Sequence, residues 1–252
     1  MSDVLLRLES VCKSFGGVHA VNDASLQVAA GSIHGLIGPN GAGKSTLFHL
    51  ISGHHEASSG QIYFDGCLLQ GETPDRRARL GISIAFQAAR IFQDMSVMET
   101  VMVGSHTWAH YGLADALLRT RRFRDTEAQV ALEARQLLAR MGLLDHADRA
   151  AQTLPLGKQR QLQIARALCA RPKLLLLDEP ASGLRGDERA GLAAQIREVR
   201  AQGVTVVLVE HDVGFVMSLS DRIMVLNHGR TQQVAAPTEA YLKPANRFVA
   251  EF

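Results

Sequence analysis

The feature that most constrains this chain is a glycine-rich segment followed by a lysine and two hydroxyl residues. It fits the phosphate-binding pattern G-x-x-x-x-G-K-[ST] at every fixed position. Its residues are Gly38, Pro39, Asn40, Gly41, Ala42, Gly43, Lys44, Ser45 and Thr46. The mostly apolar residues 32–37 before it predict a short strand, and residues 46–51 after it predict a helix that ends at Gly53. A loop in this setting surrounds phosphate groups with backbone N–H groups at a helix N-terminus.

Two side chains of this segment have a predicted chemistry of their own. Lys44 is predicted to contact the β- and γ-phosphates of a nucleotide, and Ser45 is predicted to ligate Mg²⁺ through its hydroxyl group. A glycine-rich turn that matches the pattern by chance is the alternative, and the flanking strand and helix argue against it.

The composition indicates a globular chain with balanced charge. Of its 252 residues, 46% are hydrophobic, which is enough for a substantial core. A net charge of +2, from 27 basic and 25 acidic residues, gives no argument for a nucleic-acid partner. Cys12, Cys67 and Cys169 lack metal-ligand spacing, and we expect them to be buried thiols in a reducing compartment. No apolar run approaches the ~18 residues of a membrane helix, and the N-terminus has no signal-peptide pattern.

Alternating apolar and helical patterns predict an α/β fold. Residues 174–177 and 204–209 are too apolar for half-exposed strands and indicate a mainly parallel sheet, covered on both faces, in a P-loop NTPase core. Residues 4–28 and 60–66 predict a small antiparallel β region. Residues 96–144 have a helical pattern and predict an inserted α-helical subdomain.

We expect one domain over residues 1–252. Within it, residues 1–90 form the nucleotide-binding core and β region, residues 91–165 the helical subdomain, and residues 166–252 the remainder of the core with a C-terminal hairpin and helix. In the helical subdomain, an amphipathic run is predicted to open at Thr126 and to stop at Gly142. A basic cluster precedes this run and indicates a solvated connector, or else a contact with lipid headgroups or a partner. It consists of Arg119, Arg121, Arg122 and Arg124.

Polar residues follow several of the predicted strands: Gln87, Asp178, Glu179 and His211. Ligands of a parallel sheet bind beyond the carboxyl ends of its strands, so we expect these side chains to converge with the phosphate loop. Asp178 is predicted to hold Mg²⁺ through its water shell, and Glu179 to orient or deprotonate a water molecule. His211 is predicted to hydrogen-bond the γ-phosphate. A plain strand-ending turn and a structural histidine are the alternatives.

Phe15 is an aromatic residue upstream of the phosphate loop. Folded back, it could stack on an adenine ring, a contact worth roughly 1–3 kcal/mol by analogy with base stacking. A phenylalanine of the core is the alternative, and the spacing alone leaves both open.

In their order along the chain, these motifs resemble those of an ABC transporter ATP-binding subunit. The matching segments are residues 38–46, Gln87, 154–158, 174–180, 182–184 and His211. The chain is similar above all to the subgroup that serves branched-chain amino-acid importers. That similarity is carried by the helical insertion and by residues 13–17, 81–87, 159–168 and 209–212. The resemblance covers nearly the whole chain.

The resemblance implies an ATPase that binds ATP and Mg²⁺ and powers solute transport by ATP-driven dimer closure. The expected catalytic residues are Lys44, Gln87, Glu179 and His211, and the expected Mg²⁺ ligands are Ser45, Gln87 and Asp178. It also makes Phe15 the aromatic residue that stacks on adenine. The expected cargo is branched-chain amino acids or similar small polar solutes, moved inward.

The same resemblance implies several partners. A second ATP-binding subunit, identical or not, forms a head-to-tail dimer in which Gly157 contacts the partner subunit's ATP. Transmembrane permease subunits are expected, with a periplasmic or extracellular solute-binding protein reached through them, and no nucleic acid. The chain is then peripheral to the cytoplasmic face of the cell membrane. Residues 96–118, with Trp108 and Tyr111, are expected to line the groove for the permease, unless these aromatic rings simply pack within the helical subdomain.

This sequence departs from the usual signature Leu-Ser-Gly-Gly-Gln of the family. Pro155 stands in place of the serine and Lys158 in place of the glutamine, and Arg185 replaces a usually acidic or polar residue. Pro155 and Arg185 argue for an alternative function, a nucleotide-binding regulatory or structural subunit with weak or no hydrolysis. The intact residues of the expected site argue against it: Lys44, Asp178, Glu179 and His211. Lys158 could offset part of the loss if its charge points toward the phosphate. The sequence lacks the features that are expected of a soluble ABC protein of repair or translation, and it lacks those of a P-loop kinase.

Overall fold

The computed structural model describes residues 4–86 and 94–251. The chain divides into two compact units. The larger unit comprises residues 1–87, 173–182 and 189–252, and the smaller unit comprises residues 88–172 and 183–188. The three-part division expected from the sequence stays a prediction.

In the described residues, the strands and helices alternate along most of the chain. The strands are β1 (Val4–Phe15), β2 (Val18–Ala29), β3 (Ile33–Ile37), β4 (Ser59–Phe64), β5 (Cys67–Leu68), β6 (Ile82–Ala85), β7 (Leu174–Asp178), β8 (Thr205–Val209), β9 (Arg222–Asn227) and β10 (Arg230–Ala235). The α-helices are α1 (Lys44–Ser52), α2 (Pro74–Leu80), α3 (Val97–Met102), α4 (Leu113–Leu118), α5 (Arg121–Arg140), α6 (Leu156–Cys169), α7 (Gly186–Ala201), α8 (Val213–Leu219), α9 (Pro237–Leu242) and α10 (Arg247–Glu251).

Two sheets lie in the larger unit, and they confirm the expected α/β fold. The six-stranded sheet has the order β10-β9-β3-β8-β7-β6, in which every pair is parallel except the β9–β10 hairpin. The four-stranded sheet has the order β2-β1-β4-β5 and is antiparallel. All residues of β3 and β8 are buried, as are the leucines of β7, because both faces of a parallel sheet are covered.

One hydrophobic core joins both sheets to α1. Leu6 of β1, Leu36 of β3, Phe48 of α1, Phe64 of β4 and Val207 of β8 all belong to it and are at most 1% exposed. This packing fixes α1 against the sheets, and so it also fixes the phosphate-loop motif from which α1 begins.

The C-terminal end of α1 is held by a buried arginine. The Arg77 guanidinium donates hydrogen bonds to the carbonyl oxygens of Leu50 at 2.6 Å, Ile51 at 3.0 Å, Leu69 at 2.7 Å and Glu72 at 3.0 Å. Carbonyl groups in the last turn of a helix lack partners within the helix, so Arg77 supplies bonds that α1 cannot make for itself. Burial lowers the pKa of Arg77, and the Glu72 and Glu56 carboxylates oppose that shift.

We expect the Arg77→Met substitution to lower the free energy of unfolding by about 3–5 kcal/mol, because it leaves buried carbonyl oxygens without donors. Arg79→Met is the matched control on the same helix. Arg79 is exposed and pairs with Asp75 at 3.0 Å, and such a surface pair contributes about 0–1 kcal/mol. Urea unfolding of both variants measures the difference. Equal losses would contradict the capping role of Arg77.

Histidine 34 is a buried residue of β3 with an unusual environment. Its side chain is 2% exposed, and neither ring nitrogen has a hydrogen-bond partner in the described part of the chain. Burial lowers the pKa of His34 to about 4; the positive charge of Arg222 adds to this effect, and Asp221 opposes it. The imidazole is therefore neutral in the folded protein at neutral pH.

This depressed pKa predicts acid lability. Below pH 6.5, the pKa of His34 in the unfolded chain, the unfolded chain binds a proton at this residue. In the folded chain His34 stays neutral until the pH approaches about 4. Stability is therefore lost as the pH falls through this window, by about 3 kcal/mol from this residue. Urea unfolding from pH 7 to pH 4 should show the stability of the parent chain falling by this amount relative to His34→Leu. Parallel pH profiles for the two proteins would refute the assignment.

The smaller unit is helical, as expected, but its long helix begins earlier than predicted. α5 starts at Arg121, where the Oγ1 atom of Thr120 accepts a hydrogen bond from the Phe123 N–H group at 3.4 Å. The predicted start at Thr126 was wrong, since arginine is a good helix former and Thr120 supplies the cap. Most of the basic cluster is thus the first part of a helix and not a connector. The apolar residues on one face of this amphipathic run are buried: Val130, Ala134, Leu137, Leu138 and Met141.

The three cysteines differ in their exposure to solvent. Only Cys169 is buried, whereas Cys12 is half-buried and Cys67 is exposed, so the expectation of buried thiols was correct for one cysteine alone. Burial raises the pKa of Cys169 to about 12.

None of the helices in residues 4–86 and 94–251 combines the length and the apolar character that crossing a bilayer requires.

Candidate active site

The glycine-rich segment connects β3 to α1 and lies directly against two other strands. At Gly43, where φ is +100°, a Cβ atom would lie 2.4 Å from the carbonyl oxygen of Ala20. At Gly38, a Cβ atom would lie 2.3 Å from the carbonyl oxygen of Leu226. Only glycine permits this approach, so the motif requires glycine at both positions for packing as well as for phosphate binding.

Lys44 is a buried cation held inside this loop. Its side chain is 6% exposed, and Nζ donates hydrogen bonds to the carbonyl oxygens of Gly38 at 2.8 Å and Pro39 at 3.0 Å. Burial lowers the pKa of Lys44, and the Glu179 and Asp178 carboxylates oppose that shift. The loop thus carries a positive charge close to two carboxylates.

A cavity of about 410 Å³ opens over the loop. Its lining residues all belong to the larger unit: Val18, His19, Ala20, Asn40, Gly41, Ala42, Gly43, Lys44, Ser45, Thr46, Glu179, His211 and His228. The predicted residues 40–46, Glu179 and His211 therefore share one pocket. Asp178 ends β7 opposite Val209 and does not line this cavity.

Glu179 and His211 form a direct contact in the pocket. The Nε2 atom of His211 lies 2.6 Å from Oε1 of Glu179, whose side chain is 14% exposed. The backbone of Glu179 has φ of +46°, and its N–H group donates to the carbonyl oxygen of Val209 at 2.9 Å. A positive φ is unfavourable for glutamate and is kept only where neighbouring structure imposes it, which is common at functional sites. This geometry aims the carboxylate at the imidazole.

Glu210 is a site residue that the sequence analysis missed. It is 3% exposed; Oε1 accepts from the Ala181 N–H group at 2.6 Å, and Oε2 accepts from the His211 N–H group at 3.3 Å. Burial raises the pKa of Glu210, and these two hydrogen bonds oppose that shift. Glu210 therefore ties the segment after Glu179 to the segment that carries His211. An acidic residue at the end of a fully buried strand was the available signal.

Two further histidines, His19 and His228, line the pocket and were also missed. His228 lies in the turn between β9 and β10 with φ of +46°. The next residue, Gly229, donates its N–H group to the carbonyl oxygen of Ala42 at 3.0 Å and accepts from the Asn22 N–H group at 2.8 Å. The hairpin turn is thus attached to the phosphate loop, a distant pairing that no local sequence pattern indicates.

Phe15 is the residue expected to stack on adenine, and Gln87 is an expected Mg²⁺ ligand. Phe15 ends β1, is 45% exposed, and does not line the cavity. Its ring meets the ring of His55 edge-on at 5.2 Å, and Nζ of Lys13 lies 5.0 Å from its centre. Gln87 lies outside the described residues. The roles of both residues stay predictions.

The signature-like segment begins α6 in the smaller unit. Pro155 directly precedes Leu156, the first residue of the helix. A Cβ atom at Gly157 would lie 2.8 Å from Oε1 of Glu188, so glycine is required here by contacts within the unit. Nζ of Lys158 lies 2.6 Å from Nε2 of His146 and donates to it. The charge of Lys158 is thus directed at a neighbouring histidine.

The aromatic residues expected at a permease groove make contacts inside the smaller unit. Trp108 Nε1 donates to the carbonyl oxygen of Cys169 at 2.7 Å, and the Arg171 guanidinium lies 3.7 Å from the centre of its indole ring. The Tyr111 hydroxyl group donates to Glu127 at 2.7 Å. Both rings therefore pack within the helical region, as in the alternative interpretation.

Comparison with known proteins agrees with this geometry. Residues 21–182 match the ABC transporter family. The high-affinity branched-chain amino acid transport ATP-binding protein LivG of Salmonella typhimurium is 40% identical over 245 residues, which cover 97% of this chain and 96% of LivG. BraF of Pseudomonas aeruginosa, with the same description, is 39% identical over 230 residues, covering 91% and 90%. A solved nucleotide-free ATP-binding cassette from an ABC transporter has a TM-score of 0.85 at 27% identity, covering 98% of both chains.

A phosphate loop between a parallel strand and a helix, facing an acidic strand end, defines the class of P-loop nucleotide hydrolases. Within that class, the chain belongs to the ABC transporter family. It is an ATP-binding subunit, and the subunits of this kind are ATPases.

Proposed function

We propose that this chain hydrolyses MgATP in the pocket beside Lys44 and thereby powers the import of branched-chain amino acids or similar small polar solutes. The observation that carries the assignment is the contact of 2.6 Å between Glu179 and His211 in a cavity lined by the phosphate loop. The solute class rests on LivG and BraF, whose names describe branched-chain amino acid transport.

The residues present fit a magnesium nucleotide. The buried Lys44 ammonium and the loop backbone suit a phosphate chain, and the pocket has the volume of a small-molecule site. Mg²⁺ usually binds one or two protein oxygen atoms together with phosphate oxygens and water. Ser45 and Asp178, with Gln87, are the proposed ligands. No cluster of three or more His, Cys, Asp or Glu residues that could hold a metal ion exists among the described residues, and such a site does not need one.

The proposed chemistry assigns one task to each side chain. Lys44 neutralises charge on the phosphates, and Mg²⁺ held by the proposed ligands would supply further positive charge there. Glu179 accepts a proton from the attacking water molecule. His211 orients the Glu179 carboxylate through the observed contact, and it hydrogen-bonds the γ-phosphate. Glu210 positions both segments through the N–H groups of Ala181 and His211. Phe15 stacks on the adenine ring, and Gln87 senses the γ-phosphate site.

We also propose that two ATP-binding subunits close on ATP head to tail and act on transmembrane permease subunits at the cytoplasmic face of the membrane. Gly157 then contacts the ATP that is bound to the partner subunit. A solute-binding protein delivers cargo to the permease. The support is the family membership of the chain and the match of nearly its whole length to transport ATP-binding proteins.

Uptake in the source organism tests the proposal. A strain that lacks the gene should lose uptake of radiolabelled leucine, isoleucine and valine, and the parent gene should restore it. Glu179→Gln should fail to restore uptake, whereas Glu198→Gln, a change of an exposed carboxylate on α7, should restore it fully. If a different solute alone depends on the gene, the solute class is wrong and the ATPase assignment stands.

A second candidate function is a regulatory subunit that binds ATP and hydrolyses it poorly. The observation that favours it is the signature-like segment, where Pro155 has no N–H or hydroxyl donor and Lys158 donates to His146. Proline is well tolerated at the start of a helix, and Gly157 still allows close backbone approach. We therefore favour a competent ATPase whose isolated dimer is weak and closes with the help of the permease.

The Pro155→Ser substitution should strengthen ATP-driven dimerisation of the Glu179→Gln chain, because it restores a donor facing the partner subunit's phosphate. One hydrogen bond to a charged group is worth roughly 1.5–3 kcal/mol, so the dimer dissociation constant should fall about tenfold or more. Sedimentation velocity with MgATP measures it. An unchanged dissociation constant would mean that position 155 does not limit closure.

A further inference from the structure

The helix α4 turns its apolar side outward. Leu113, Leu117 and Leu118 are 81%, 77% and 76% exposed, although a surface helix normally packs such a stripe against the core. The opposite side of α4 carries Asp115, whose Oδ2 accepts from the Gly112 N–H group at 3.1 Å and whose Oδ1 accepts from the Thr120 hydroxyl group at 2.9 Å. Asp115 therefore caps the start of α4 and contacts the residue that caps the start of α5.

This inverted orientation is fixed by contacts with α5. The Tyr111 ring, just before α4, meets the Phe123 ring edge-on at 4.8 Å, and the Tyr111 hydroxyl group donates to Glu127 at 2.7 Å. Together with the Asp115 hydrogen bonds, these contacts hold both ends of α4. The leucines are exposed because the surrounding structure directs them outward.

Arginine side chains adjoin the leucines along the chain. Arg119 ends α4 with φ of +46°, and Arg121 and Arg124 lie in the first turns of α5; all three are exposed. The acidic residue paired with this group is Asp125, which lies 3.7 Å from Arg121 and is itself exposed. We call Leu113, Leu117, Leu118, Arg119, Arg121 and Arg124 the leucine–arginine surface.

We propose that the leucine–arginine surface inserts into the headgroup region of an anionic lipid bilayer. Leucines that enter the acyl boundary beside arginines that pair with lipid phosphates are the combination by which interfacial helices bind membranes. A protein groove is the weaker match, because the aromatic anchors typical of protein interfaces, Trp108 and Tyr111, are used inside the unit. A second copy of the chain is also disfavoured, since it would bring the arginines of both copies together.

This contact goes beyond the proposed function, since it adds a direct attachment of the ATP-binding subunit to the membrane beside its attachment through permease subunits. The lipid contact and ATP hydrolysis also use different residues. Vesicle binding can therefore be absent while ATP hydrolysis is present, and ATP hydrolysis can be absent while vesicle binding is present.

Vesicle sedimentation of the purified full chain tests the proposal. We expect binding to phosphatidylcholine vesicles that contain phosphatidylglycerol and little binding to phosphatidylcholine alone. The triple substitution Leu113→Ser, Leu117→Ser and Leu118→Ser should reduce binding about fivefold or more, as should Arg119→Gln with Arg121→Gln. Leu132→Ser is the matched control, since Leu132 is 59% exposed on α5 and lies outside the surface. ATP hydrolysis of each variant verifies its fold.

A second measurement locates the contact without depending on the serine variants. Trp108 is the only tryptophan of the chain, so Trp108→Phe with Leu117→Trp places a single reporter on the surface. Lipids with brominated acyl chains should quench this reporter, and they should not quench Leu132→Trp in the same background. Absence of quenching, or vesicle binding that the triple substitution leaves unchanged, overturns the proposal. It is also overturned if the triple substitution alters self-association of the free chain or abolishes binding to purified permease subunits while vesicle binding persists.

Discussion

The Glu179→Gln variant should hydrolyse ATP roughly 10²–10⁴ times more slowly than the parent chain, the usual contribution of a general base. Its affinity for MgATP should be unchanged, because the amide keeps the size of the carboxylate and removes only its basicity. The variant should also accumulate as an ATP-bound dimer, since closure precedes the step that is lost. The contact with His211 at 2.6 Å is the structural reason to expect a large effect at this residue.

Phosphate release measures the turnover of this variant, and calorimetry measures its affinity for MgATP. Glu198→Gln is the control for a loss of carboxylate charge at an exposed position of the same unit, and it should hydrolyse at the parent rate. Hydrolysis by Glu179→Gln at the parent rate would show that this carboxylate is not the base.

The Lys44→Ala variant should lose tight MgATP binding, with an affinity at least roughly 10²-fold below that of the parent chain. Lys44 is the cation inside the phosphate loop, and its Nζ atom already lies 2.8 Å from the carbonyl oxygen of Gly38. Its pKa is lowered by burial, so part of the loss of affinity reflects a charge that the protein had already desolvated.

Calorimetric titration with MgATP tests this expectation. Lys173→Ala is the matched control, because Lys173 is an exposed lysine of the same unit, paired with Asp65 at 2.5 Å. It should bind MgATP like the parent chain. If both variants bind with the parent affinity, the phosphate assignment of Lys44 fails.

The parts of the fold that depend on local pattern were predictable from the sequence. The phosphate-loop motif carries its own strand and helix context, and the apolar runs of β7 and β8 are too hydrophobic for any strand but a buried one. The convergence of Glu179 and His211 on the loop followed from the rule that parallel strands present their carboxyl ends at one edge.

The other features of the fold and of the candidate site depended on contacts between segments that are distant in the sequence. Glu210 acts through the N–H groups of Ala181 and His211, and His228 reaches the pocket from a C-terminal hairpin. A sequence pattern carries no signal for such tertiary contacts. The arginines at the start of α5 suggested a connector, because charge was given more weight than the helix propensity of arginine.

In the altered signature segment too, the sequence did not predict a tertiary contact. The sequence identified Pro155 and Lys158 as departures but left the direction of the lysine open. That direction was decided by His146, which ends the short 3-10 helix Leu144–His146 and whose Nε2 atom lies 2.6 Å from Nζ. The charge of Lys158 therefore gives no support for compensation of the missing serine.

The central claim is that two copies of this subunit together, or one with a similar subunit, hydrolyse ATP, and the concentration dependence of MgATP hydrolysis tests it most directly. The specific activity of the purified chain should rise with its concentration and then level off, because the proposed active site needs residues of two subunits. Lys44→Ala should stay at background throughout. A specific activity that is constant at every concentration would contradict the shared site, and one that never exceeds the Lys44→Ala background, even with purified permease subunits added, would favour the regulatory subunit.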